Sequence, residues 1–153
     1  MGRLDVRQRR MPMLKSIKVR DYMTRHLVTF RSDTDLFTAI NRLLEHRISG
    51  APVVDSQGHL IGLLSEGDCL RGILSGAYYE ATGGTVSTYM TTEVETVTPE
   101  ADIIELSERF LRGRRRRLPV IEHGRLVGQI SRCDVLRAVK EFAQHEQGSL
   151  EVS

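Results

Sequence analysis

The chain has 153 residues, 40% of them apolar and 27% charged, with a formal net charge of +2. That is the composition of a globular protein able to bury ~70% of its unfolded surface, as one domain or two small subdomains. It excludes a membrane span, since no run approaches ~18 apolar residues, and a charge this small does not by itself imply a nucleic-acid protein.

The start, "MGRLDVRQRRMPMLK", is basic but lacks an apolar h-region, so it reads as a loosely ordered arm over residues 1–15 rather than a secretory signal. Cys69 and Cys133 stand at no metal or disulfide spacing, and the expected compartment is the reducing cytoplasm. From Ser16 onward the chain repeats itself. "VRDYMT" (Val19–Thr24) matches "VSTYMT" (Val86–Thr91) at an offset of 67, and "GAPVVD" (Gly50–Asp55) meets "RLPVIE" (Arg117–Glu122) at the same offset. After a one-residue deletion, "GHLIGLLSEGDCLR" (Gly58–Arg71) meets "GRLVGQISRCDVLR" (Gly124–Arg137).

Each copy predicts the same elements in order. A short amphipathic segment ends at Met23 or Met90, and a brief strand follows at Leu27–Phe30 or Val94–Val97. A helix then begins at Ser32 and Asp33 in the first copy. In the second it begins at Thr98-Pro99-Glu100, which reads as N-cap, proline at N1 and acid in the first turn. Leu36, Phe37, Ile40, Leu43 and Leu44 form its apolar face, as do Ile103, Ile104, Phe110 and Leu111 in the second copy. Next comes a strand at Ala51–Val54 or Leu118–Ile121, where Pro52 or Pro119 argues for a strand start or a sheet edge. A short glycine-containing turn joins it to Leu60–Leu64 or Leu126–Ile130, a hairpin. Ser65 or Ser131 opens a last helix, with Leu70, Ile73 and Leu74, or Leu136, Val139 and Phe142, facing inward.

The fold class is therefore α/β in the α+β sense: two βαββα repeats, 16–74 and 85–142, packed about a pseudo-two-fold axis. A linker covers 75–84, "SGAYYEATGG", and a tail 143–153. Tyr78 and Tyr79 are expected to pack the linker down, and Met11, Met13 and Met23 to be hydrophobic fill.

The Ser-x-x-Asp in "LLSEGDCL" and "QISRCDVL" carries two readings that do not exclude each other. A Ser at N-cap with an acid at N3 is a capping box. A helix N-terminus after a strand is also an anion site. A hydroxyl there can donate to a phosphate, whereas a carboxylate suits ribose hydroxyls.

The ordered set of Met-Thr, "HRISGAPVVD" (His46–Asp55) and Gly-x-x-Ser-x-x-Asp, present twice, resembles a tandem pair of cystathionine-β-synthase (CBS) domains, a Bateman module, from about Ser16 to Phe142. The resemblance implies a regulatory module, not an enzyme, that binds AMP, ADP or ATP, or else S-adenosylmethionine or NAD, as a regulatory ligand with no cofactor required. It also implies a homodimer and a separate effector protein that reads the bound state. By the same resemblance Asp68 and Asp134 hold ribose while Ser65 and Ser131 approach phosphate. Composite sites would join Ile48, Ser49 and Gly50 to Ser131 and Asp134 with Arg117 near the phosphate, and Arg115 and Arg116 to Ser65 and Asp68.

Ile48-Ser49-Gly50 suits an adenine ring approaching main chain, and the arginines suit phosphates better than a flat base, so the two sites are expected to be unequal. Two other readings stand beside this one. The first is a dimerisation scaffold with vestigial sites. The second is nucleic-acid binding by Arg112–Arg117, which no recognition helix or interleaved aromatic accompanies. The histidines (His26, His46, His59, His123, His145) do not cluster, so no zinc site is expected, and Ser65 has no His base for nucleophilic chemistry.

Overall fold

The computed structural model describes residues 13–76 and 84–152, with side chains as far as residue 145. Met11, Tyr78, Tyr79 and most of the expected linker lie outside the described residues. The elements are a 3-10 turn at Val19–Asp21, α1 (Leu36–His46), β1 (Gly50–Val54), β2 (Leu60–Ser65), α2 (Glu66–Leu74), α3 (Val86–Tyr89), α4 (Ile103–Arg112), β3 (Arg117–Glu122), β4 (Arg125–Ser131) and α5 (Arg132–Val152). The α+β class holds, with β1–β2 and β3–β4 as two small sheets.

Both hairpins follow from their turns. In the second, His123 (φ 54°) and Gly124 (φ 79°) both have positive φ, the two-residue turn whose twist matches the strands it joins. In the first, Asp55 Oδ1 accepts the N–H groups of Gln57 and His59, each at 2.9 Å, and closes a longer loop. These bonds hold the Asp55 carboxyl below its ordinary range, the His59 N–H first among them. β1 and β2 run antiparallel from Gly50↔Ser65 to Val54↔Leu60, with Ile61 bulged.

Two expectations are corrected and one is narrowed. The first strand of each repeat is a single bridge residue, Phe30 beside Val53 and Val97 beside Val120, both parallel. Pro52 and Pro119 lie inside β1 and β3, each an edge of its two-stranded sheet, the second of the two places expected. Their carbonyls accept from Phe30 N (2.9 Å) and Val97 N (3.0 Å). The missing proline N–H thus falls on the side where the partner is one bridge rather than a full ladder.

The long helices start later than Ser32 or Thr98. Asp35 caps α1 through Thr38 N at 3.1 Å, and Asp102 caps α4 through Ile104 N and Glu105 N, each at 2.9 Å. The residues read as caps instead form preceding turns whose carbonyls are engaged elsewhere. Pro99 O and Ala101 O accept from Arg20 N and Val19 N, while Ser32 O and Thr34 O accept from Ser87 N and Val86 N.

Those bonds decide how the chain divides. One compact unit takes the described residues up to Arg25, Thr96–Glu122 and everything from Val127 on; the other takes His26–Glu95 and His123–Leu126. The segment opening each sequence repeat therefore lies in the unit built on the other repeat's hairpin. In the first unit Thr24 pairs with Gln129 of β4 by reciprocal backbone bonds of 2.8 and 2.9 Å. In the other, Thr91 pairs with Leu63 of β2 in the same way, at 2.8 and 2.9 Å. The β3–β4 turn joins that unit through Leu60 N to Gly124 O at 3.1 Å and Leu126 N to Gly58 O at 3.0 Å.

Glycine makes these crossings feasible. A Cβ on Gly128 would stand 2.8 Å from Met23 Sδ and 2.9 Å from Thr24 O. Thr24 O accepts from Gln129 N, so it cannot retreat without breaking the pairing. Gly128→Ala is expected to cost about 1–3 kcal/mol, the usual range for overpacking, seen as a lower denaturant midpoint at unchanged slope.

Each unit has its own core. Val19, Val97, Ile103, Leu106, Phe110, Leu118, Val120, Ile130, Val135 and Ala138 fill one, and Phe30, Leu36, Ala39, Leu43, Ala51, Val53, Leu64, Cys69 and Val86 fill the other. Met23 and Met90 pack against them, whereas Met13 is half exposed. The helix faces hold only in part: Leu36, Leu43, Ile103 and Phe110 are buried as expected. Phe37, Leu44, Leu70, Ile73, Leu74, Leu111, Leu136 and Val139 are exposed. α2 turns Asp68, Cys69 and Gly72 inward instead, and α5 turns Asp134, Val135 and Ala138 inward.

Candidate functional site

Each hairpin delivers its second strand into a helix whose first turn carries the Ser-x-x-Asp. Ser65 is the N-cap of α2, with extended backbone (φ −109°, ψ 168°). Its Oγ accepts Asp68 N at 3.2 Å, and Asp68 Oδ2 accepts Ser65 N at 2.9 Å. The second copy repeats this: Ser131 Oγ accepts Asp134 N at 3.2 Å, and Asp134 Oδ2 accepts Ser131 N at 2.8 Å. The capping reading is therefore realised at both places.

The two carboxylates are held differently. Asp68 also accepts from the Thr91 hydroxyl at 3.2 Å and from the Arg71 guanidinium, and its side chain is only 3% exposed. Asp134 takes the Ser131 hydroxyl at 3.0 Å on Oδ2 and Arg137 at 3.2 Å on Oδ1, with its side chain 11% exposed. Each carboxylate thus takes three donors; Asp68 Oδ1 holds the Thr91 hydroxyl as well as Arg71, while among the described residues Asp134 Oδ1 holds Arg137, 53% exposed. Among the described residues no buried side-chain nitrogen or oxygen lacks a partner.

Beside each helix start lies the loop that precedes the same repeat's proline strand. Glu66 N donates to Ser49 O at 2.9 Å, and Gly50 pairs with Ser65. Ile48 is half-buried against the core and Ser49 is exposed. In the second copy Arg132 N donates to Arg116 O at 3.0 Å and Arg132 Nε to Arg115 O at 3.1 Å. Arg132 Nη2 also donates to Phe110 O at 2.8 Å. One guanidinium thus clamps the arginine loop to the start of α5 and leaves Arg114, Arg115, Arg116 and Arg117 exposed. Cys69 sits behind Asp68; burial pushes its thiol up, and the nearby Asp68 and Glu66 charges push the same way, which leaves it a poor nucleophile. Among the described residues no His, Cys, Asp and Glu cluster could hold a metal ion, and no helix is long and apolar enough to cross a membrane.

Four residues carry more of this geometry than their sequence context suggests: Arg71, Arg137, Thr91 and Arg132. The first two were open to view, as an arginine three places after the aspartate in both copies, the spacing that brings side chains together on a helix. Thr91 carried no local signal, since its partner Asp68 lies 23 residues away.

Fold and site together define a paired-repeat module with two capped helix starts, each flanked by a hairpin. The sequence model of the CBS domain matches residues 19–75 and 86–141. The chain belongs to the CBS domain family and carries a tandem pair of such domains. Among similar proteins, the uncharacterized protein MJ1225 of Methanocaldococcus jannaschii is 31% identical over 119 residues, covering 78% of this chain and 41% of that one. The chain thus spans less than half the length of that relative. The CBS domain-containing protein YhcV of Bacillus subtilis is 29% identical over 132 residues, covering 86% and 90%. Among solved structures, CBSX2 in complex with AMP superposes with a TM-score of 0.73 at 28% identity, covering 83% of this chain and 98% of that one. CBSX2 is a CBS-pair protein of Arabidopsis thaliana.

Proposed function

We propose that this chain is a regulatory module that senses adenosine-containing nucleotides, AMP, ADP or ATP, and passes the bound state to a separate effector protein. The observation that carries this reading is the likeness, over most of both chains, to a CBS pair solved with AMP. The site chemistry supports it. Ser131 and the positive end of the α5 dipole suit a phosphate, and Asp134 Oδ1 suits ribose hydroxyls. Ile48, Ser49 and Gly50 suit an adenine edge, and Arg115, Arg116 and Arg117 suit further phosphates. Ser65 and Asp68 form the poorer site, because Asp68 Oδ1 takes the Thr91 hydroxyl as well as Arg71. The module regulates rather than catalyses, and its action is a population shift: the ligand favours one arrangement and the effector reads it. A second copy of the chain covers the exposed Leu44, Leu70, Leu74, Leu111 and Leu136, whose exposure supports the homodimer.

The buried, fully bonded Asp68 favours one other reading, a scaffold whose sites have closed. Thermal unfolding with AMP, ADP, ATP, S-adenosylmethionine, NAD and a short oligonucleotide separates the two. At a hundredfold excess over its dissociation constant, a bound nucleotide adds ~2.7 kcal/mol and raises the midpoint by about 5–10 °C for a chain of this size. Nucleotides at millimolar concentration that leave the midpoint unmoved would sink the sensor, and a shift by the oligonucleotide alone would favour the arginine run as a nucleic-acid surface.

A further inference from the structure

Arg137 on α5 touches two parts of its unit at once. Its Nη2 lies 3.2 Å from Asp134 Oδ1 and donates to the Tyr22 carbonyl at 3.3 Å. The guanidinium also stands 5.7 Å from the centre of the Tyr22 ring. Tyr22 is fixed at its far end as well, its hydroxyl donating to Glu141 Oε2 at 2.6 Å, a bond that raises the phenol's pKa. Tyr22 follows the 3-10 turn Val19–Asp21 and stands two residues before Thr24, which pairs with β4. The first repeat is wired differently. Arg71 directs its guanidinium to Asp68, and the matching tyrosine, Tyr89, packs its ring against Gly72, where an added Cβ would lie 3.2 Å from Tyr89 Cδ1.

We propose that Arg137 is a positioning residue that competes with ligand hydroxyls for Asp134 Oδ1 and, when displaced, loosens the segment Val19–Thr24 at Tyr22. This rests on the reading that the Ser131–Asp134 line holds a nucleotide. Oδ2 is occupied by two donors from Ser131, so Oδ1 is the oxygen a new donor must take. Arg137 is 53% exposed and can leave without unfolding anything. A nucleotide supplies the hydroxyls that replace the guanidinium on Asp134, and the half-exposed guanidinium returns to water. What Arg137 gives up is its bond and ring contact at Tyr22, one of two ties between α5 and the segment that opens the chain's first repeat, the Tyr22–Glu141 bond being the other. Coupling is reciprocal: whatever the ligand does to the segment, the segment does to the ligand.

The test is backbone hydrogen exchange across Val19–Thr24 in the full chain, with and without AMP, in the parent, Arg137→Gln, Arg137→Lys and Arg71→Gln. AMP is expected to speed exchange at Tyr22, Met23 and Thr24 in the parent. Arg137→Gln should exchange fast already, respond no further, and bind AMP about two- to fivefold more tightly, the range an exposed ion pair sets. Arg137→Lys should restore part of the response, and Arg71→Gln should leave it whole. Arg137→Gln that binds AMP no tighter, or keeps the parent's response, overturns the inference. A parent that binds AMP with no change at these amides overturns it too and leaves the nucleotide sensor standing; a parent that binds none of AMP, ADP and ATP overturns both.

Discussion

Asp68→Ala is expected to lower stability by about 2–4 kcal/mol, with unfolding midpoints falling at an unchanged denaturant slope. The substitution removes one arm of a capping box, a loss of about 1 kcal/mol by itself. It also takes the acceptor from Ser65 N, at 2.9 Å from Asp68 Oδ2 on a half-buried residue, and removes one hydrogen bond from the hydroxyl of the exposed Thr91 at 3.2 Å. A buried donor left without a partner costs about 1–3 kcal/mol. Arg71 adds little, since its side chain is 70% exposed and returns to water. Asp134→Ala should cost less, because Asp134 has no counterpart of the Thr91 hydroxyl among the described residues. Equal losses at the two positions would mean that the difference in their surroundings has no energetic weight.

The second large effect concerns ligand. Asp134→Asn is expected to weaken AMP binding about 10- to 100-fold, the worth of one hydrogen bond to a charged acceptor. Asparagine keeps an oxygen for Ser131 N, so the helix start survives and the loss can be read as binding rather than unfolding. Asp68→Asn should change AMP affinity far less, because its carboxylate is 3% exposed and already occupied. Calorimetric titration of both variants decides the matter. Asp134→Asn that binds AMP as well as the parent would remove the ribose role, and a larger loss at Asp68 would reverse the ranking of the two sites.

Much of this architecture was legible in the sequence, for identifiable reasons. The hairpins announced themselves through glycine turns between apolar runs, and the fixed offset between copies marked the element order. Both capping boxes were visible because Ser and Asp three residues apart interact locally. What misled was competition between local signals. Thr98-Pro99-Glu100 has the composition of a helix start, but Asp102, four residues on, carries the two cap bonds. The helix faces were assigned by counting leucines. Leu44, Leu74 and Leu111 nevertheless point outward at 70%, 87% and 84% exposure, while the small Ala39, Gly72 and Ala138 pack inside. An apolar residue on a helix declares affinity for a nonpolar surface, not which surface. The arginine loop carried the expectation of unequal sites; the contacts that distinguish the two carboxylates include the hydroxyl of Thr91, 23 residues from Asp68 and invisible to local reading.

The placement of Thr24 on β4 and Thr91 on β2 has a consequence for how such a chain can be divided or come into being. A cut between Ser75 and Thr85 separates the repeats cleanly in sequence, yet each half then lacks the strand that edges its own sheet and carries the one its sister needs. Two such halves are complementary fragments rather than domains. A lone half would have an open sheet edge and an unclaimed Met-Thr strand, and could satisfy both by exchanging that strand with a copy of itself. The length that recurs in the sequence is one repeat; each length that folds draws on both.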